Sequence, residues 1–352
     1  MLCAGIMNLN QIIEKLSLSD PVSLKALYAE ANALKTSTIG NKVYLRGLIE
    51  FSNICSKDCY YCGIRRENQA VNRYELGDEE VLAAVDFAWK NRYGSVVLQS
   101  GERQSAHFTK RIAHLLREIK TYTNNEIGIT LSCGEQTVAT YREWFRAGAH
   151  RYLLRIETSN KELYYKLHPN DRKHSFDARL NAIKQLRDEG YQVGTGVMIG
   201  LPFQTVEDLA GDLLFFQSMN VDMVGMGPYL EHSQTPLYRY RHLLLQPEKR
   251  LELVLKMVAT LRLLMPDINI AATTALQVLH PEGREMAVLA GANIIMPNMT
   301  LPEFRPDYQI YEHKPGIDED AALSKSKLEQ YFQTYGIVIG YGEWGDSLHF
   351  IL

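Results

Sequence analysis

The sequence predicts an α/β protein folded as a (β/α)8 TIM barrel, preceded by an N-terminal helical extension. Short runs of apolar, β-prone residues alternate with longer amphipathic stretches along most of the 352-residue chain. This alternation is typical of a parallel sheet, and eight such units in roughly 250 residues favour a closed barrel over an open sheet. A loop with three cysteines follows the first run, at the end of a barrel where catalytic groups lie.

The elements follow in order from the spacing of apolar residues. Residues 8–36 have apolar side chains at helical spacing with a stop and restart at Ser19-Asp20-Pro21, which predicts helices. Strands are predicted at 44–49, 95–99, 127–131, 151–155, 192–199, 223–226, 268–272 and 293–296. Helices are predicted between most of them, at 79–90, 109–120, 137–147, 179–189, 206–218, 247–264 and 282–290. We expect a helical extension over 1–38, the barrel over 39–315, and a C-terminal helix and tail over 316–352 packed on the barrel.

The composition argues against several functional classes. The net charge is -3 and both signs are mixed along the chain, so neither nucleic acid nor a membrane surface is expected as a partner. The first residues lack the basic start and long apolar segment of a secretory signal, and no apolar run is long enough to span a bilayer. We therefore expect a cytoplasmic protein. An odd count of five cysteines in a chain of this length fits a reducing compartment.

Three cysteines, Cys55, Cys59 and Cys62, are the most informative feature of the chain. Structural zinc and iron-sulfur sites normally have four protein ligands, so three in one loop indicate a metal site with an open position. The spacing resembles the one with which radical S-adenosylmethionine (SAM) enzymes hold a 4Fe-4S cluster, leaving one iron for SAM. The alternative is a zinc-binding, non-catalytic protein whose site is completed by histidine. The nearest histidine, His107, lies far downstream, and zinc ligands usually come in paired clusters.

Polar residues stand at the ends of several predicted strands, where a packed barrel does not need them: Gln99, Ser100 and Glu102 at the second, Thr130 and Ser132 at the third, Arg155 and Glu157 at the fourth, and Thr273 and Thr274 at the seventh. A buried arginine or glutamate without a partner is costly, so Arg155 and Glu157 are expected to meet a ligand or each other. A structural ion pair that closes the barrel is the alternative.

Longer strings around these residues resemble the HydE family, the radical SAM maturases of FeFe-hydrogenase. The matching features are Tyr61 before the third cysteine, the turn from Ser100 to Glu102, and the strings 151–158, 198–202, 222–228, 272–275 and 291–298. The resemblance covers about residues 42–311, and the stretch 168–174 is longer than the family pattern. Some members have extra C-terminal cysteines for a second cluster; this chain has none after Cys133, so one cluster is expected.

The resemblance implies a role for each matching residue. Cys55, Cys59 and Cys62 would ligate the 4Fe-4S cluster, and Tyr61 would lie against the adenine of SAM. The rest of SAM would be held by Gln99, Ser100, Glu102, Ser132, Glu157 and Arg179. The substrate and anion cavity would be lined by Arg46, Thr130, Arg155, Met223, Thr273, Thr274 and Tyr308.

The resemblance also implies a reaction. With one electron from a reducing donor, SAM would be cleaved to methionine and a 5′-deoxyadenosyl radical. The radical would attack the cysteine sulfur of an iron-cysteine carbonyl-cyanide precursor made by HydG, toward the diiron part of the H-cluster, and the product would pass to the HydF scaffold. The alternatives within this chemistry are a mutase resembling methylornithine synthase and a sulfur-inserting enzyme resembling biotin synthase. The latter is expected to need further cluster ligands along the barrel.

Overall fold

A closed barrel of eight parallel strands forms the centre of the molecule, which confirms the predicted fold class. The computed structural model describes residues 7–316 and 321–351. Its strands are β1 (Lys42–Ser52), β2 (Ser95–Ser100), β3 (Gly128–Ser132), β4 (Arg151–Leu153), β5 (Gln192–Thr195), β6 (Met198–Ile199), β7 (Met223–Val224), β8 (Gly227–Pro228), β9 (Asn269–Ala272), β10 (Ile294–Ile295) and β11 (Val338–Ile339). The order around the barrel is β1, β2, β3, β4, β5, β7, β9, β10, and β10 pairs again with β1.

Helices surround the barrel and connect its strands. They are α1 (Leu9–Ser17), α2 (Pro21–Ile39), α3 (Asp78–Lys90), α4 (Ala106–Tyr122), α5 (Val138–Arg146), α6 (Lys161–Leu167), α7 (Phe176–Asp188), α8 (Val206–Ser218), α9 (Pro247–Leu264), α10 (Leu276–Leu279), α11 (Gly283–Leu289), α12 (Ala321–Thr334) and α13 (Leu348–Ile351). Short 3-10 helices span Arg172–His174, Pro236–Leu243 and Pro302–Asp307. Among the described residues, no helix combines the length and apolar character needed to cross a membrane.

Helix α7 begins three residues before the predicted start at residue 179. The hydroxyl of Ser175 accepts a hydrogen bond from the backbone N–H of Ala178 at 3.2 Å and so caps the helix. A serine in this position satisfies one of the free N–H groups of a first turn. As a consequence, Arg179 lies in the first turn of α7, at the end of the barrel where the strands finish.

The predicted strand over 192–199 is wrong as one continuous strand. It is interrupted at Gly196, and its second part, β6, pairs with β8 in a separate two-stranded sheet. The physical reason is a close approach of two backbone segments, because a Cβ atom on Gly196 would overlap the carbonyl oxygen of Gly225. The sequence pattern contains the apolar run, but this contact between segments depends on the pairing of β5 with β7.

The N-terminal helices pack on the outside of the barrel, against α9. Leu27 and Ala31 of α2 lie in a small apolar cluster with Ala259 and Leu263 of α9. Lys35, also on α2, is buried, and its ammonium group donates a hydrogen bond to the carbonyl of Val288 at 3.0 Å. The extension therefore contacts the helical layer and not the carboxyl ends of the strands.

The C-terminal tail crosses the end of the barrel at which the strands begin. After α12, strand β11 adds to β1, and residues 343–347 then bind four barrel strands through these bonds: Arg46 Nη2 to Gly345 O at 2.9 Å, Asn269 Nδ2 to Gly345 O at 2.8 Å, Arg151 Nη1 to Trp344 O at 2.9 Å, and Ser347 N to Gln192 Oε1 at 3.1 Å. The carboxylate of Asp346 also contacts Arg151 Nη1 at 2.5 Å. The tail thus closes this end of the barrel.

We predict that Asp346→Asn lowers the free energy of unfolding by about 2 to 3 kcal/mol, since Arg151 is fully buried and loses its carboxylate partner. Burial opposes ionisation of Asp346, but the hydrogen bond from His150 and the charge of Arg151 hold its pKa well below 3.8. The stabilisation is therefore complete above that pH and is lost as the pH falls further. Urea unfolding at pH 7 and pH 3 measures both effects.

The neighbouring Glu343 provides the control for this prediction. It pairs with Lys42 on the surface, where such pairs contribute about 0 to 1 kcal/mol, so Glu343→Gln should change little. Equal stability of Asp346→Asn and the unsubstituted protein at pH 7 would contradict the proposed contribution of this ion pair.

Candidate active site

The three cysteines lie on the loop that follows β1, and all three are free thiols. The backbone turns at Cys59, whose carbonyl accepts a hydrogen bond from the N–H of Cys62 at 3.2 Å. The sulfur of Cys55 accepts from the N–H groups of Lys57 at 3.4 Å and Glu102 at 3.3 Å. The second of these donors follows β2, so the cysteine loop is attached to the neighbouring strand end.

Two glycines allow this loop to pack closely. A Cβ atom on Gly101 would lie 2.5 Å from the carbonyl oxygen of Ile54 and 2.8 Å from the Cβ of Cys55. A Cβ on Gly63, directly after Cys62, would overlap the backbone of Gln309. Both positions therefore require glycine for the loop to reach its place, and sequence reasoning assigned neither of them a role.

The thiol groups have an environment that fits an iron-sulfur cluster. Burial raises the pKa of Cys55, Cys59 and Cys62, to about 12 for Cys59, and for Cys59 and Cys62 the neighbouring thiols raise it further. Three thiolates can share such a site only with a strongly positive group between them. The remaining described cysteine, Cys133, lies in the apolar core and not on the loop. Cys3 is outside the described residues.

A buried group of four charged residues lies beside the loop: Lys57, Glu102, Glu135 and Arg179, called here the charge cluster. Lys57 Nζ lies 3.0 Å from Glu102 Oε1 and 3.1 Å from Glu135 Oε2. Arg179 pairs with Glu135 through Nε and with Glu102 Oε2 through Nη2 at 3.4 Å. Burial raises the pKa of Glu102, whereas the two cations hold that of Glu135 below its usual value.

The charge cluster is balanced, with two cations and two anions. Such a site can accept a ligand that has both an ammonium and a carboxylate group, because each ligand group can replace one partner without leaving a buried charge unpaired. The predicted ligand residues Glu102 and Arg179 are in direct contact here. Lys57 and Glu135 were not predicted.

Arg155 and Glu157 meet each other, which was one of the two expected outcomes. The guanidinium group donates to both carboxylate oxygens, at 2.8 and 2.9 Å, and also to the carbonyls of Gly225 and Val197. Glu157 has φ +69°, a conformation that is strained for residues other than glycine and is often found at functional sites. Arg179 joins this pair to the charge cluster, since its Nη1 donates to the carbonyl of Arg155 at 2.8 Å.

The other predicted SAM residues lie at neighbouring strand ends. Gln99 of β2 is level with Ser132 of β3, and its side-chain amide donates to the hydroxyl of Tyr308 at 3.3 Å. The hydroxyl of Ser100 donates to the carbonyl of Gly101 at 2.9 Å. The hydroxyl of Tyr61 lies 3.2 Å from the Nε2 atom of His168, in the stretch that is longer than the family pattern.

The predicted substrate residues divide into two groups. Arg46, Thr130 and Met223 line one cavity inside the barrel together with Asn269. The other four lie outside the lining of this cavity. Arg155 is in its ion pair, Thr273 Oγ1 lies 3.5 Å from the carbonyl of Met226, Thr274 is in the turn after β9, and Tyr308 lies after the third 3-10 helix. The predicted convergence of all seven therefore stays a prediction.

A repeated pattern in the sequence could have identified Glu135. The strand end Ser100-Gly101-Glu102 has a counterpart after β3, where Ser132 and Gly134 precede Glu135. Both acidic residues follow a glycine at the carboxyl end of a barrel strand, and both belong to the charge cluster. The proximity of Lys57 to them has no comparable signal, because lysine inside a loop is usually solvated.

Comparison with known proteins agrees with this geometry. The Radical SAM superfamily matches residues 49–216. The FeFe hydrogenase maturase subunit HydE of Thermotoga maritima is 42% identical over 301 residues, which cover 86% of this chain and 83% of that protein. The 3-methylornithine synthase of Methanosarcina acetivorans is 30% identical over 283 residues, covering 80% and 76%. The crystal structure of methylornithine synthase (PylB) superposes with a TM-score of 0.79 at 26% identity, covering 95% of this chain and 94% of that one.

These matches confirm the resemblance found in the sequence. Radical SAM enzymes use a 4Fe-4S cluster and SAM, so the predicted cofactors are confirmed, and the interpretation as a zinc-binding, non-catalytic protein is wrong. The chain is an enzyme of the radical SAM superfamily and belongs to the HydE family of FeFe-hydrogenase maturases.

Proposed function

We propose that the enzyme acts on an iron-cysteine carbonyl-cyanide complex supplied by HydG. Attack of a 5′-deoxyadenosyl radical on the cysteine sulfur would lead toward the diiron subsite of the H-cluster, and the product would pass to HydF. The observation that supports this substrate class is Arg46, a buried cation on the internal cavity without an anionic partner. A carbonyl-cyanide iron complex is a compact anion of the kind that such a group would bind.

The surroundings of Arg46 support an anionic ligand. Its guanidinium group donates to the sulfur of Met223 at 3.1 Å and to the carbonyl of Gly345 at 2.9 Å. Its Nε atom is buried without a partner, and no carboxylate in residues 7–316 or 321–351 forms an ion pair with it. Burial and the nearby charge of Arg151 lower its pKa well below the usual value. An anion in the cavity would offset this cost.

Thr130 supplies a second group for such an anion. Its hydroxyl oxygen accepts a hydrogen bond from Arg151 Nε at 3.0 Å, so its own proton remains free to be donated. Thr130 lines the same cavity as Arg46. We infer that Arg46 and Thr130 bind the substrate together, and that the tail orients both, since it binds Arg46 through Gly345 and Arg151 through Asp346.

The charge cluster supports the other half of the proposal, the binding of SAM. When bound, the 4Fe-4S cluster and SAM supply a 5′-deoxyadenosyl radical through reductive cleavage of SAM. In our proposal Arg179 binds the carboxylate of SAM, and Glu102 binds its ammonium group. The ion pair between Arg179 and Glu102 is then replaced by these two contacts with SAM. The tail closes the far end of the barrel, so that water is kept from the reacting atoms.

We predict that Arg179→Ala weakens SAM binding about a hundredfold and leaves the iron content unchanged. Loss of one partner of a buried, charged hydrogen bond costs on the order of 2 to 3 kcal/mol. Equilibrium dialysis with labelled SAM measures the affinity, and iron analysis reports on the cluster. Lys184→Ala, an exposed position on the same helix, is the control. An unaltered SAM affinity would identify Arg179 as part of a structural ion pair only.

A second candidate function is a carbon-skeleton mutase, because 3-methylornithine synthase is among the relatives. An amino-acid substrate needs an anionic partner for its ammonium group. Among the described residues that line the internal cavity, none is acidic. The cavity therefore favours an anion over a zwitterion. Sulfur insertion of the biotin-synthase type is disfavoured, since the described residues offer only Cys133 as a further thiol, and it lies in the core.

The two candidates are separated by one anaerobic experiment. The reconstituted enzyme receives SAM and dithionite together with either the iron-cysteine carbonyl-cyanide complex or L-lysine. We expect 5′-deoxyadenosine formation to accelerate only with the iron complex and its cysteine to be consumed in step. Acceleration with lysine alone would favour the mutase and refute the proposed substrate.

A further inference from the structure

Two surface segments, 163–174 and 233–246, lie next to the cysteine loop. They meet at Tyr60, the residue directly after Cys59. The N–H of Tyr60 donates to the carbonyl of Leu167 at 2.9 Å, and its carbonyl accepts from the N–H of Leu237, also at 2.9 Å. Both segments are therefore hydrogen-bonded to the chain between two of the cluster ligands. Together with residues 201–204 they are called here the basic rim.

The basic rim has a charge opposite to that of the whole molecule. It contains five lysines or arginines, namely Lys166, Arg172, Lys173, Arg239 and Arg241, against a single acid, Asp171. That acid is paired with His174. All five cations are exposed, and within the described residues none of them forms an ion pair. A surplus of four positive charges stands here in a chain whose net charge is -3.

The neighbouring cations of the cysteine loop do not add to this surplus, because acids next to them neutralise their charge. Arg65 is paired with Asp58 at 2.7 Å, and Arg66 with Glu67 at 2.6 Å. These two ion-paired arginines therefore add no net charge to that of the rim.

Aromatic and apolar side chains hold the rim together and complete its surface. The rings of Phe203 and Tyr240 lie 4.8 Å apart, with Lys166 Nζ 5.2 Å from the ring of Phe203. Phe203, Leu243 and Leu245 expose 40%, 47% and 49% of their surface. A surface that combines exposed apolar groups with unpaired cations is typical of a protein-binding site.

We propose that the basic rim is the docking surface for a small acidic electron-transfer protein of the ferredoxin type. The enzyme needs one electron per cleavage of SAM, and the rim is bonded to the loop that carries the cluster ligands. Docked there, reduced ferredoxin would be oxidised by one electron while the enzyme's oxidised cluster is reduced by the same electron; no bond is made and no proton moves. Docking at the basic rim requires the radical SAM chemistry of the family but not the substrate proposed above.

The first test measures binding. Isothermal titration of the enzyme with an oxidised, acidic bacterial ferredoxin is done before and after cluster reconstitution, at low ionic strength and at 0.3 M salt, where surface charges are strongly screened. We expect Arg239→Glu combined with Arg241→Glu to weaken binding at least about tenfold at low salt, and salt to abolish the difference. The control combines Arg117→Glu with Arg146→Glu, two exposed arginines on α4 and α5, and should bind like the unsubstituted enzyme.

The second test measures electron transfer. Stopped-flow reduction of the cluster by ferredoxin should be slowed in the rim variant and unchanged in the control, whereas dithionite should reduce all three proteins equally. If the rim variant does not fold, Arg172→Glu with Lys173→Glu reverses the charge of the other segment and carries the same test. Ferredoxin affinity equal in the rim variant and the control would overturn the proposal. So would a rim variant that keeps ferredoxin-driven reduction but loses binding to the HydF scaffold.

Discussion

Replacement of any one of Cys55, Cys59 or Cys62 by alanine is expected to abolish cleavage of SAM. Each of the three thiols lies on the loop after β1, and the described part of the chain has no other thiol near them that could serve as a substitute ligand. Each variant would leave only two cysteine ligands, so the cluster would lose one of its three bonds to the protein and would no longer be held in a fixed orientation. With dithionite as the reductant, the amount of 5′-deoxyadenosine formed should fall to the detection limit. The iron content should fall as well.

Cys133→Ala is the matched control for the three loop variants. Its thiol is buried in the apolar core, where burial raises its pKa to about 12, and its sulfur lies 3.8 Å from the carbonyl of Leu98. Removing one buried sulfur should cost on the order of 1 kcal/mol of stability and leave iron content and SAM cleavage intact. Retained cleavage in all three loop variants would refute the ligand assignment.

Replacement of Arg46 by alanine is expected to prevent hydrogenase maturation while sparing the slow cleavage of SAM without substrate. Arg46 lies on the internal cavity and away from the cysteine loop and the charge cluster, so its loss should spare the binding and cleavage of SAM. Removing the partner of a buried charged ligand costs about 3 to 5 kcal/mol, which corresponds to a loss in affinity of at least a hundredfold. Maturation is measured by hydrogenase activity in a strain that lacks its own maturase.

Two controls distinguish a lost charge from a disturbed cavity. Val97→Ala enlarges the same cavity without changing its charge and should still support maturation. Arg46→Met removes the charge at similar length, and because this cation has no carboxylate partner, stability should hardly fall. Full maturation with Arg46→Ala, or none with the unsubstituted protein, would refute the substrate but leave the radical SAM assignment untouched.

Local patterns in the sequence were sufficient for the fold class and the cluster ligands. The alternation of apolar runs with amphipathic stretches is a local property that follows from burial on both faces of a parallel sheet, and it predicted the eight strands. The spacing of Cys55, Cys59 and Cys62 is local as well, since one loop supplies all three ligands. The same local logic failed at Gly196, where a distant backbone segment interrupts the strand.

The pairing of charges was decided only by the tertiary structure. The sequence left open whether Arg155 meets Glu157 or a ligand, because both outcomes satisfy a buried charge; in the fold they bind each other. Lys57 and Glu135 are 78 positions apart in the chain, and no periodic pattern relates them. Their contact depends on the strand order, because β1 and β3 both pair with β2 and the loops after them therefore lie close together.

The C-terminal tail is the clearest example of this division. The family resemblance ends at about residue 311 and implies no role for the residues after it. The segment Glu343 to Ser347 has neither helical nor strand periodicity. In the fold its backbone binds Arg46, 299 positions earlier, and closes the barrel beneath the cavity. A sequence determines elements whose cause lies within a few neighbouring residues. Contacts between segments so far apart depend on where every intervening element packs, and therefore only the tertiary structure defines them.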